Sequence, residues 1–136
     1  MSSERNHASG SALASLAAQL REEASPLSGH IVERAPETDV SGEYALLFEA
    51  IREGYLLHYE SPRLLAGHDD DLALLAGDYL YALGLARLAE IGDDDAIELL
   101  ADLIGRCAQL HAEGRGAGVA QLWQEAAAEL GLDRPA

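Results

Sequence analysis

Twenty residues of nearly unbroken apolar sequence, Leu72 to Ile91, stand between two aspartate triplets, Asp69-Asp70-Asp71 and Asp93-Asp94-Asp95. That run is too long for an ordinary strand and long enough for a five-turn helix. Aspartates just before an apolar segment accept the free N–H groups of a first helical turn and complement the positive end of its dipole. The second triplet therefore announces a second helix, Ala96 to His111, and Gly92 lies where the chain must turn back. An antiparallel helical hairpin over 71–91 and 95–112 is the expected centre of the fold. The phrases DDDLALLAGD and DDDAIELLAD begin 24 residues apart. Shared capping demands produce such likeness, and two copies do not make a solenoid.

Helical periodicity recurs in three other places, and strand alternation in none. Ser11 to Ala24 reads as a small Ala/Leu helix (Leu13, Leu16, Ala17, Leu20) that Ser25-Pro26 ends. Ser41 to Glu60 carries Tyr44, Leu47, Phe48, Ile51, Tyr55 and His58 on one stripe, and Pro62 closes it. Val119 to Leu130 carries Leu122, Trp123, Ala126 and Leu130, with Gly131 placed to terminate it. The expectation is an all-α compact bundle of about five helices. Residues 1–10 are expected to be disordered, 11–40 to form an N-terminal helix and a loosely docked Pro-containing arm, 41–131 the bundle, and 132–136 a tail. The 72–91 helix, apolar almost all round, is expected to sit centrally. Its Gly77 and Gly84 read as points where a neighbouring helix comes close, with ligand access as the alternative.

Charge narrows the partners. The chain has 24 acidic residues and nine basic ones, every one an arginine, for a net charge of −15 over 136 residues. No basic face can be assembled for nucleic acid or an anionic membrane surface. The absence of lysine removes Schiff-base and Walker-type chemistry, and the single cysteine, Cys107, removes an internal disulfide or a cysteine-built zinc site. Asp78, Arg87 and Glu90 interrupt the long apolar run, so a transmembrane segment is not expected. The first ten residues lack a signal-peptide layout, and a bacterial cytoplasmic location is expected.

Few residues suggest chemistry. Mg²⁺ held on a helix would want carboxylates at i, i+1 and i+4, but Ala73 and Ile97 occupy the fourth positions after Asp69 and Asp93. The triplets therefore read as caps. No histidine spacing suits a metal, and no cofactor is expected. His58 and His111 extend apolar stripes as candidate interaction residues, together with Tyr55 and Tyr81. Asp78 is the most informative position, because a carboxylate inside an apolar helix is costly unless paired. Arg52 or Arg106 on a neighbouring helix is its expected partner. The alternative is a polar pocket at Asp78, and a groove beside Gly77 and Gly84 is the place a hydrophobic ligand would take. The seven aromatics Tyr44, Phe48, Tyr55, Tyr59, Tyr79, Tyr81 and Trp123 are expected to leave some aromatic surface for self-association.

The segment LALLAGDYLYA at 72–82, followed by LARLA at 85–89, Gly92-Asp93 and IELLA at 97–101, resembles the all-α trans-polyprenyl diphosphate synthases. The resemblance covers about a third of the chain and implies a helical fold of that type. The family's aspartate-rich DDxxD-type motifs have no counterpart here, nor do its diphosphate-gripping lysines and Arg-Arg-Gly. What the resemblance implies is thus a reduced, non-catalytic relative. The expected function is a helical interaction, adaptor or accessory subunit with a protein partner or a second copy. The alternatives are a binder of a hydrophobic, prenyl-like ligand and a small regulatory subunit of a larger prenyl diphosphate synthase.

Overall fold

The computed structural model describes residues 11–23, 27–38, 40 and 44–132. The expected disorder of 1–10 lies outside the described residues. Among the described residues five α-helices follow one another: α1 (Ser11–Glu22), α2 (Ala45–Tyr59), α3 (Asp70–Ile91), α4 (Asp94–Ala112) and α5 (Val119–Glu129). Short 3₁₀ turns lie at Ser28–His30 and Gly116–Gly118. Among the described residues there is no strand, only a single antiparallel bridge between Ile31 and Leu65.

The aspartates act as the sequence implies. The Asp69 carboxylate accepts from Leu72 N at 2.8 Å, and that of Asp93 accepts from Ala96 N at 3.0 Å. Between these two starts Gly92 adopts φ 87°, a left-handed conformation that a side chain would strain. Its N–H bonds Ala89 O, and the next N–H, of Asp93, reaches back to Leu88 O, which turns the chain into α4. Tyr44 Oη donates to Asp93 Oδ2 at 2.8 Å and ties the start of α2 to this turn. These hydrogen bonds hold the Asp93 carboxyl below the usual range, the Ala96 N–H contributing most and the Tyr44 hydroxyl next.

The α3–α4 pair forms as expected, but the middle of the bundle belongs to α2. One side of α2 (Phe48, Ile51, Tyr55) packs with Leu88, Leu100, Leu103, Cys107 and Trp123. Its other side (Ala50, Leu57) packs with Leu13, Leu16, Leu20, Leu64, Ala76 and Leu80. The N-terminal region is therefore not loosely docked. Leu13, Leu16 and Leu20 are fully buried, and Val32 N–Leu64 O and Ala66 N–His30 O bonds of 2.8 Å fasten the arm to the segment after α2. The expected tail begins with a core residue: Leu132 is buried, its N–H bonded to Ala127 O at 2.8 Å.

What lets α2 occupy the centre is a feature its sequence disguises. Glu49 and Glu53, one turn apart, are both fully buried. Glu49 accepts from Arg52 at 2.8 and 3.0 Å, lies 2.8 Å from Arg63 Nη2, and accepts a very short bond from the Thr38 hydroxyl. Glu53 accepts from Arg63 N at 2.6 Å, Leu64 N at 2.7 Å and Arg63 Nε at 2.9 Å. Buried carboxylates persist only when paired and hydrogen-bonded in this way. Together they clamp the 63–64 segment and Thr38 onto α2.

Helix α3 is correspondingly displaced from the centre. Ala76, Gly77, Leu80, Gly84 and Leu88 are buried, while Asp71, Leu74, Leu75, Asp78, Ala82, Ala86 and Ala89 are exposed on the opposite side. By length and composition alone it could cross a membrane, and 28 % of its apolar window is buried within the chain. An ionisable Asp78 near its middle would be expensive in hydrocarbon.

Candidate functional site

Six of the seven residues singled out in the sequence gather around the C-terminal end of α2. Residues 55, 58 and 59 fall on neighbouring positions of its last turn, where α3, α4 and α5 all come within reach. The Tyr55 ring centroid lies 5.2 Å from Tyr59, 5.6 Å from His111 and 5.7 Å from Trp123. Tyr59 stacks on His111 at 4.3 Å with 9° between planes. On the other flank His58 meets Tyr81 edge-on at 5.2 Å and Tyr59 at 6.1 Å. An aromatic belt thus runs from Trp123 to Tyr81, with the half-exposed Tyr59 (39 %) at its outer edge.

Within the belt, Tyr55 Oη donates to Glu60 Oε2 at 2.8 Å and lies 2.6 Å from His111 Nε2. Burial, reinforced by the hydrogen bond to Glu60, pushes the phenol far up, so it keeps its proton. A phenol has one proton to give. With that proton directed to Glu60, Tyr55 accepts from His111, which carries a proton at Nε2. The result is a directed chain, His111 to Tyr55 to Glu60, ending at the surface. Gly116 makes room for it, since a Cβ there would lie 2.7 Å from His111 Cε1. Beside the chain a cleft of about 400 Å³ opens between α2 and α5, with Arg52, Tyr55, Glu60, Val119 and Trp123 in its walls.

Asp78 requires a correction. Its side chain is 74 % exposed, and its partner is neither Arg52 nor Arg106 but His58, whose Nε2 lies 3.3 Å from Oδ1. Arg52 is engaged by Glu49, and Arg106 lies 4.0 Å from Asp102. The charge survives in an apolar helix because that side of the helix faces outward. Gly77 and Gly84 do serve close packing. A Cβ on Gly77 would lie 2.3 Å from the His58 ring and 3.0 Å from Gly54 O, and one on Gly84 would lie 2.5 Å from Ile51 Cγ1. The space beside both glycines is therefore filled by α2 rather than open as a groove. Gly84 stands apart from the belt.

Of the seven aromatics, Tyr59 is exposed and Tyr44, Tyr79 and Tyr81 are partly buried. Phe48, Tyr55 and Trp123 are buried, and the strongly exposed large apolar residues are Leu74 (55 %), Leu75 (57 %) and Ile91 (56 %). Cys107 is buried beneath the belt, and burial pushes its thiol up to about 11. Among the described residues no three His, Cys, Asp or Glu side chains converge as metal ligands. The sequence does not mark Glu49 and Glu53 as a polar system, because Thr38, Arg63 and the backbone N–H of Leu64 reach them across loops, and Glu60 stands out only once its neighbour Tyr55 is seen to be buried against His111. No family model, curated protein or solved structure matches the chain.

Proposed function

We propose that this chain is a non-catalytic interaction subunit, an adaptor that docks a protein partner on the outer face of α3. The uncovered apolar side of that helix carries the reading. Leu74 and Leu75 keep more than half their surface in water, and Ala82, Ala86 and Ala89 continue the exposed strip toward the helix end. Apolar residues scattered singly on a surface need no explanation, but two adjacent open leucines and a row of exposed alanines, interrupted by Asp78, support an interaction face. The rigid contact of α3 with α2 through Gly54, Gly77 and Gly84 presents this strip on a fixed support.

Native mass spectrometry after gentle purification from its own cells tests the reading. A constant protein stoichiometry is expected, and it should disappear in Leu74→Ser/Leu75→Ser while the melting temperature holds. A retained lipid mass without a protein partner would replace this reading with that of a hydrophobic-ligand binder. The 400 Å³ cleft beside Tyr55 and Trp123 is the observation favouring that second reading, being within the size range of small-ligand sites. Chain elongation from allylic and isopentenyl diphosphates with Mg²⁺ would refute the non-catalytic part.

A further inference from the structure

The outer face of α3 has a pattern more specific than apolarity. Positions 71, 75, 78, 82, 86 and 89 are all exposed and follow one another at intervals of three or four. They form a second seam opposite the one that meets α2, at the spacing by which one helix receives another. From Asp71 to Ala89 the seam is about 27 Å long at 1.5 Å per residue. Asp78 stands near its middle, Ala82, Ala86 and Ala89 toward its C-terminal end let a partner backbone approach, and its N-terminal end offers Leu75, with Leu74 beside it, for a partner to cover.

Both ends of the seam are acidic. The exposed Asp70 and Asp71 stand at one end and the exposed Glu90, Asp94 and Asp95 near the other, while Asp69 and Asp93 are engaged as helix caps. Arg87, the only cation in α3, is nine positions from Asp78 and therefore half a turn round from it. A second copy laid on this seam would set acid against acid whether it ran parallel or antiparallel, on top of the repulsion between two bodies of charge −15. Residues 1–10, another possible cover from the same chain, hold no large apolar residue after Met1.

Resting on the adaptor reading, we propose that the α3 seam receives one amphipathic helix from a different protein, about five turns long, with arginines or lysines at both ends of its apolar stripe. Cations at the two ends would lie over the aspartate clusters. A further one in the middle, over Asp78, would fix the register, as a polar seam position does in helix pairs.

Two labelled 20-residue peptides test this. They share one Leu/Ala stripe and differ only in carrying arginine or glutamate at their ends. Fluorescence anisotropy against the whole chain should show the Arg-ended peptide binding at least about tenfold tighter, the gap narrowing between about 50 and 300 mM salt. The charge-neutral variants Leu74→Ser/Leu75→Ser and Ala82→Gln should each weaken it about tenfold or more while leaving the circular dichroism unchanged. Equal binding of the two peptides would overturn the cationic partner and leave the docking face standing. Binding of the Arg-ended peptide that ignores both variants would overturn the seam itself, as would no binding of either peptide. A concentration-dependent dimer split by Leu74→Ser/Leu75→Ser would assign the face to a second copy. Flotation with phosphatidylcholine vesicles would assign it to a membrane, and either result would overturn the proposal.

Discussion

The buried carboxylates of α2 make the sharpest stability prediction. Glu53→Ala removes the acceptor of three hydrogen bonds, from Arg63 N, Leu64 N and Arg63 Nε. Leu64 is fully buried, so water cannot replace the lost partner of its N–H. An orphaned buried donor costs about 1–3 kcal/mol, and breaking a buried charge pair about 3–5 kcal/mol. The two overlap here, and Arg63 keeps Glu49 at 2.8 Å, so a net loss of about 4 kcal/mol is expected. That is a large part of the roughly 5–15 kcal/mol available to a domain. Glu53→Gln keeps an oxygen for the two backbone donors, which both go to the same atom, and gives up only the charge toward Arg63. About half the loss, roughly 2 kcal/mol, is expected.

Arg63→Leu does the reverse. The backbone bonds of 63 and 64 persist, but Glu49 keeps Arg52 while buried Glu53 loses its guanidinium partner, for a loss of about 3–5 kcal/mol. Glu53→Gln should then partly rescue Arg63→Leu, because the uncompensated charge is gone. The double-mutant cycle is expected to show coupling of at least about 1 kcal/mol. Urea unfolding followed by circular dichroism at constant m-value reads these differences, and Glu53→Ala should also lower Tm by about 10 °C or more. A Glu53→Ala loss below about 1 kcal/mol, or strict additivity in the cycle, would refute the account of α2 as a helix held centrally by satisfied charges.

Asp78→Ala, at a position 74 % exposed, should change stability by no more than about 0.5 kcal/mol; a melting-temperature drop of several degrees would restore the buried pair expected from sequence. Gly84→Ala should destabilise by about 1–3 kcal/mol, since its methyl would meet Ile51 at 2.5 Å and Leu47 O at 3.2 Å, which outweighs the helix-propensity gain. Gly105→Ala in α4 meets nothing within 4 Å and should stabilise by up to about 1 kcal/mol, so equal effects of the two in thermal melts would contradict the close-approach reading. At high pH the folded state should weaken. Cys107 rises from its ordinary 9 to about 11, and Tyr55, Tyr79 and Tyr81 are also raised, so the unfolded chain releases these protons first. Their contribution is complete below about pH 9 and declines as pH rises through 9 to 11, by about 1.4 kcal/mol per pH unit for the thiol alone. Denaturant midpoints that stay flat from pH 8 to 11, or rapid alkylation of native Cys107 at neutral pH, would contradict this.

The helices were legible because their signals are local. Asp69, Asp93, Gly92 and Gly131 each act within a few residues of themselves, and the structure uses them as the sequence implies. Which helix lies in the middle was not legible, because that depends on what the others can cover. Helix α3, with two acids and one arginine after its first turn, leaves a face in water, whereas α2, with Glu49, Arg52 and Glu53 in its centre, is enclosed on two sides. Hydrophobicity ranked the two in the wrong order, since the partners that make Glu49 and Glu53 tolerable inside, Thr38, Arg63 and Leu64 N–H, lie 10 or 11 residues away across loops. The same displacement explains both misread features of α3. Asp78 needs no arginine because its side of the helix is outside, and the leucines that promised a core position, Leu74 and Leu75, are the ones left exposed. An apolar helix pushed to the edge by a charged one at the centre is poorly accounted for by the chain's own packing. The uncovered seam is therefore the feature on which the proposed docking reading rests.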